Sequence, residues 1–151
     1  MIKILKASAG SGKTFNLALA YIRLILSSSD PYAYRHVLAV TFTNKATEEM
    51  KSRIIKELDR LATSPSSSGY IDELRKSTGL AAEEIGRRAK EVLCNILNDY
   101  SAFSISTIDR FFQRALKAFS HEIGQFASYQ VELDKDSLVK ETVDRILDSL
   151  T

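Results

Sequence analysis

The stretch Ala7-Ser8-Ala9-Gly10-Ser11-Gly12-Lys13-Thr14 begins two residues after a short apolar run at 2–5 and leads directly into a helical pattern. A strand, a glycine-rich turn and a helix N-terminus set a row of backbone N–H groups around one anion. Gly10 and Gly12 let the backbone turn tightly and approach phosphates with no Cβ in the way. Lys13 is placed to reach the β- and γ-phosphates of a nucleoside triphosphate, and Thr14 to set its hydroxyl on Mg²⁺. The strict phosphate-loop pattern has glycine first, where this chain has Ala7. The competing reading is a chance Gly-Ser turn before a helix. The strand–turn–helix context favours the phosphate loop.

Around that loop the chain reads as one globular domain. It has 151 residues, 44% of them hydrophobic and 26% charged, with a net charge of +2. That charge permits contact with nucleic acid without demanding it. The single cysteine, Cys94, excludes an intrachain disulfide and points to a reducing compartment. It falls on the apolar side of a helical pattern, which predicts a buried filler. His36 and His121 have no cysteine partners at metal-ligand spacing, so no zinc site is indicated. No stretch approaches the ~20 apolar residues of a membrane span, and no apolar leader precedes the loop. A cytoplasmic protein without membrane contact is expected.

Hydrophobic periodicity predicts a helix at 14–26 with Leu17, Ala18, Tyr21, Leu24 and Ile25 on its apolar face. The run 37–41, VLAVT, is nearly continuous β-former and predicts a strand covered on both faces, as in a parallel sheet. Thr43 or Asn44 can cap a helix at 45–61 along which Met50, Ile54, Leu58 and Leu61 recur. The composition of 63–69, TSPSSSG, is that of a loop. Helices are expected at 70–76 and 81–97, the second with a stripe of Ile85, Ala89, Val92, Leu93, Ile96 and Leu97. A strand at 103–106 leads into a helix at 108–119 that turns Phe111, Phe112, Ala115, Leu116 and Phe119 inward. A strand at 129–133 and a last helix to about 150, capped by Asp134 or Asp136, complete the pattern. Strands alternating with helices argue for an α/β fold with right-handed crossovers, the helices between 63 and 98 forming an inserted layer.

Two further strand–helix junctions carry chemistry. Thr41-Phe42-Thr43-Asn44-Lys45-Ala46 suits single-stranded nucleic acid: Phe42 offers a face to a base or sugar, and Thr43, Asn44 and the first N–H groups of the helix can hold phosphate oxygens. The plain alternative is a Thr/Asn cap beside a core phenylalanine. A phosphate loop one strand away tips the choice, because α/β proteins bind ligands at the carboxyl ends of their strands. At Thr107-Ile108-Asp109-Arg110-Phe111, Thr107 or Asp109 can cap the helix. Arg110, Arg114 and Lys117 make a short basic strip on it, either a track for a phosphate backbone or a solvated face. No strand ends in paired acids that would hold Mg²⁺ through its water shell. Asp134, in VELD, is rejected for that role because its strand alternates.

Together ASAGSGKT, VLAVTFTNKATEEMKSRI and STIDRFFQRAL resemble the first blocks of superfamily 1 DNA helicases of the UvrD/Rep type, and most of all their helicase–nuclease branch, the RecB-like and AddA-like subunits. The resemblance covers most of 1–133. It implies a P-loop NTPase, a partial RecA-like domain with a parallel sheet flanked by helices and a helical insertion. It implies ATP and Mg²⁺ as cofactors, Ala9, Gly10, Ser11 and Gly12 as the phosphate cradle, and Lys13 and Thr14 as the phosphate lysine and the metal-ligating hydroxyl. Thr41, Phe42, Thr43, Asn44, Thr107 and Arg110 match DNA-contacting segments. Asp109 stands where the family often has histidine, and a carboxylate there repels phosphate unless it caps the helix. No room is left upstream for the family's adenine-reading glutamine.

The activity implied is ATP-driven 3′ to 5′ movement on DNA in double-strand break repair and recombination, with an associated exonuclease and an AddB-like or RecC-like partner subunit. The expected layout is 1–62 as the start of the first motor domain, 63–100 as helical insertion, 101–133 as a return to the motor domain and 134–151 as the start of a helical subdomain. Without the later blocks the chain reads as an N-terminal fragment, inactive alone. The rival readings are a small P-loop kinase, or a non-catalytic DNA- or partner-binding module with a retained phosphate loop.

Overall fold

The structure is a computed structural model that describes residues 12–122 together with 139, 142, 143, 145 and 146. The expected strands at 2–5 and 129–133, most of the phosphate loop, Asp134 and Asp136 lie outside the described residues. The chain forms two compact units, 1–113 and 114–151. In the second unit the described residues 139, 142, 143, 145 and 146 are helical, and Val139, Val143 and Ile146 are exposed.

In the first unit α1 spans Lys13–Ser27. A 3-10 turn at Ala33–His36 follows and buries Tyr34. Strand β1 is Ala39–Thr41, and α2 is Asn44–Thr63. A second short turn, Pro65–Ser67, leads to α3, Ile71–Thr78, and α4, Ala82–Asn98. Strand β2 is Ile105–Thr107, and α5, Ile108–Glu122, starts without a break after it and belongs to the second unit from residue 114 on. β1 and β2 pair in parallel, Ala39 opposite Ile105, Val40 opposite Ser106 and Thr41 opposite Thr107. The domain is thus mostly helical around a small parallel sheet, consistent with an α/β fold.

The core lies between α1, α2, α3 and α4. Met50, Ile54, Leu58 and Leu61, the stripe expected on α2, are all buried and meet Ile85, Ala89, Val92 and Ile96 of α4. Each such aliphatic side chain contributes about 1.5–3 kcal/mol by leaving water. Gly86 lets the two helices close up: a Cβ there would sit 3.0 Å from both the Leu61 carbonyl oxygen and Pro65 Cγ.

Several orientations differ from the periodicity reading. On α1 the buried line is Ala18, Tyr21, Ile22, Ile25 and Leu26, while Leu17 and Leu24 are exposed. That helix is apolar nearly all round, so its pattern does not select a face. Among the described residues strand β1 is buried at Ala39, while Val40 and Leu38 are 41% and 48% exposed. Cys94 is exposed, because two residues from Val92 is about 200° around the helix. Leu97 is exposed too, and so are Phe111, Phe112, Leu116 and Phe119 of α5. The stripe on α5 is real, but the pattern of a sequence records an apolar face and not its cover.

α4 also fastens both ends of the loop after α1. The Arg88 guanidinium donates from Nη1 to the Leu26 and Ser28 carbonyl oxygens, at 3.1 and 2.9 Å, satisfying acceptors at the end of α1. Glu84 holds Arg88 in place through Nε at 2.7 Å. Hydrogen bonds first from Arg87 and then from Arg88 pull the Glu84 carboxyl from its ordinary 4.5 down to about 2. A depressed folded-state value means that this contribution is present above the ordinary value and lost as pH falls toward 2. Nearby, the Tyr34 hydroxyl donates to the Asn95 carbonyl at 3.0 Å, and Arg35 pairs with Asp99 at 2.7 Å. Arg88→Ala removes three charge-assisted hydrogen bonds and is expected to cost about 2 kcal/mol of stability, read by denaturant unfolding. Among the described residues no helix is long and apolar enough to cross a membrane.

Candidate nucleotide and nucleic-acid surfaces

Ala9, Gly10 and Ser11 lie outside the described residues, so the cradle is seen only from Gly12 onward. Gly12 is the N-cap of α1 with φ +74°, in the left-handed region, which a residue with a Cβ enters only under strain. Its carbonyl accepts from the Asn16 N–H at 2.9 Å, opening the helix. Among the described residues no side chain caps this end, and no acid lies in its first turn. A helix start of this kind presents the positive end of its dipole. Lys13 is the first helical residue, and Thr14, next to it, is exposed. A glycine in the left-handed region, a helix start without a side-chain cap among the described residues and an exposed threonine fit a phosphate chain with its Mg²⁺.

Just beyond, the first turn of α1 is braced by the residue that precedes α3. The buried Tyr70 ring meets Phe15 edge-on, centroids 4.5 Å apart, and its hydroxyl donates to the Phe15 carbonyl at 3.3 Å. Its own N–H donates to Ser68 Oγ at 3.1 Å, and Ser68 Oγ donates to Glu57 of α2 at 3.1 Å. Burial, with Glu57 adding in the same direction, pushes the Tyr70 phenol up, so it stays a donor at neutral pH.

The second surface is built by the sheet register. Thr41 and Thr107 are partners at the ends of two parallel strands, and both strands turn at once into helices. The sequence-predicted segments 41–44 and 107–110 therefore share one sheet edge. Thr43 caps α2, its Oγ1 accepting from the Ala46 N–H at 3.1 Å. Thr107 caps α5 in the same manner, accepting from the Arg110 N–H at 3.3 Å. Of the paired alternatives, the threonine is the cap in both cases, and Asp109 is exposed. Phe42 stands out from the edge, 86% exposed, and is not the core phenylalanine of the plain reading. Asn44, Lys45 and Arg110 are exposed around it.

Thr41 is half-buried, and its hydroxyl faces into the turn. Thr41 Oγ1 lies 2.6 Å from Thr47 Oγ1, and the two hydroxyls lie 3.1 and 3.2 Å from the Thr43 carbonyl. Two protons serve these contacts: one bridges the pair and the other goes to the carbonyl. Sequence reasoning does not single out Thr47 or Tyr70. For Thr47 a signal exists, since a threonine four residues into a helix can bond back to the i−4 carbonyl. For Tyr70 there is none, because its partner lies 55 residues away.

A family model described as the UvrD/REP helicase N-terminal domain matches residues 2–150. Among curated proteins the chain is 31% identical over 150 residues to the RecBCD enzyme subunit RecB of Buchnera aphidicola subsp. Acyrthosiphon pisum, covering 91% of this chain and 12% of that protein. It is 30% identical over 151 residues to the RecB subunit of Escherichia coli K12, with the same two shares, 91% and 12%. It is 28% identical over 147 residues to an ATP-dependent helicase/nuclease subunit of Bacillus cytotoxicus, covering 96% of this chain and 10% of that protein. The chain thus spans about an eighth or less of the length of these relatives. No solved structure matches it.

Proposed function

Since the chain belongs to the UvrD/REP helicase N-terminal domain family, we propose that it is the ATP-binding opening of the first RecA-like motor domain of a 3′ to 5′ DNA helicase/translocase. The whole protein then works in double-strand break repair and recombination, as the names of its RecB and helicase/nuclease relatives suggest. The observation that carries the reading is the pairing of Thr41 with Thr107, which brings two candidate DNA-contacting segments, from sequence positions far apart, onto one edge.

In this reading Ala9 to Gly12 wrap the triphosphate with backbone N–H groups, and Lys13 neutralises the β- and γ-phosphates. The Thr14 hydroxyl would help hold Mg²⁺, which would supply positive charge to offset that of the phosphates. Phe42 stacks on a base or sugar, while Thr43, Asn44 and Arg110 hold the backbone. Thr41 and Thr107 shape the surface on which these groups sit. The motor fold occupies 1–62 and 101–133, the helical insertion 63–100, and 134–151 opens a helical subdomain. The substrate is single- or double-stranded DNA, and the partner is a RecC-like or AddB-like subunit. The location is the cytoplasm. The chain alone does not turn over ATP at an enzyme-like rate, because none of its predicted strands ends in paired acids to steady the attacking water.

The test is ATP hydrolysis by the full-length protein with and without single-stranded DNA. A motor is stimulated by DNA. Stimulation by a small acceptor instead would make it a kinase, and no hydrolysis under any condition would leave only a binding module; either result sinks the proposal.

A further inference from the structure

We propose that Thr47 is a positioning residue for the nucleic-acid surface, its hydroxyl locking the β1–α2 turn so that Phe42 is displayed in a fixed pose. The inference rests on the DNA role given above to segment 41–44.

Thr47 is 6% exposed, one of few buried polar side chains among the described residues. It belongs to the first turns of α2, and its N–H already donates to the Thr43 carbonyl at 3.0 Å. The hydroxyl adds a bond to that carbonyl and a short one, 2.6 Å, to Thr41. Thr41 ends β1 and is fixed sideways by its register with Thr107, while Thr43 caps α2. Thr47 therefore ties the last strand residue to the cap residue across the one residue between them, which is Phe42. With Thr41 and Thr43 both held, Phe42 projects into solvent from a turn anchored on either side. A ring fixed before binding loses less freedom on stacking than one that must be ordered by the ligand.

The experiment separates hydroxyl from shape. Thr47→Val keeps the branched outline without the oxygen, and Thr47→Ser keeps the oxygen without the methyl. In the full-length protein, the concentration of oligothymidylate giving half-maximal stimulation of ATP hydrolysis is measured for both, with Phe42→Ala alongside, together with hydrolysis in the absence of DNA and the melting temperature. The expected result is a half-saturating concentration about fivefold higher for Thr47→Val, restored to the parent value in Thr47→Ser, with DNA-free hydrolysis unchanged in both. DNA affinity then follows the hydroxyl while melting follows the methyl. If Thr47→Val binds DNA like the parent while Phe42→Ala does not, the positioning role is wrong and the DNA surface stands. If neither substitution alters DNA response, the DNA surface is wrong and this inference falls with it. If affinity and melting fall together in both threonine variants, Thr47 is a packing residue only, which also overturns the proposal.

Discussion

Lys13→Ala in the full-length protein is expected to lower nucleotide turnover on the order of a hundredfold or more, because in the role proposed for Lys13 its ammonium acts on charge that develops during transfer. The same substitution weakens MgATP binding, read by displacement of a fluorescent nucleotide. The fold is expected to persist: Lys13 is the first residue of α1, and the buried line of that helix begins only at Ala18. Unaltered melting with lost turnover is the signature of the assignment. Full turnover in Lys13→Ala shows that the loop is a plain turn.

Phe42→Ala has the second large effect. A base stacked on an aromatic side chain is worth about 1–3 kcal/mol, so affinity for single-stranded DNA falls by about one to two orders of magnitude. Nucleotide binding without DNA stays at the parent level. Stability also stays, since a ring 86% exposed contributes little to the core. Fluorescence anisotropy with a labelled oligonucleotide gives the first quantity and calorimetric titration with MgADP the second. An unchanged DNA affinity removes the DNA role of the exposed ring.

What the sequence discloses and what it withholds divide along a physical line. The helix at 45–61 is readable because charged residues separate Met50, Ile54, Leu58 and Leu61 cleanly, leaving a single face to bury. The junction residues are readable because Ser/Thr capping is a local rule, and both Thr43 and Thr107 obey it. Apolar residues around all of α1 leave its orientation undecided, and Leu17 and Leu24 turn outward. At Val40 a continuous run of β-formers signals two buried faces, yet among the described residues Ala39 is buried and Val40 is exposed. For α5 the stripe from Phe111 to Phe119 is apolar as its spacing predicts, but it faces outward and not inward. Of the candidate sites, the sequence supplies the residues of each junction but not their meeting: the register of Thr41 with Thr107 is a long-range fact. Thr47, Tyr70 and Arg88 act through partners that only the folded chain brings near.

The bracing of α1 has a mechanical consequence. Tyr70 grips the carbonyl of Phe15 near its start, and Arg88 grips those of Leu26 and Ser28 at its finish. Both anchors come from the layer between β1 and β2 and not from α1's own neighbours in sequence. The rod is thus pinned at two points. If its start holds phosphate as proposed, a push there would be carried into the helical layer rather than taken up by sliding of the rod alone.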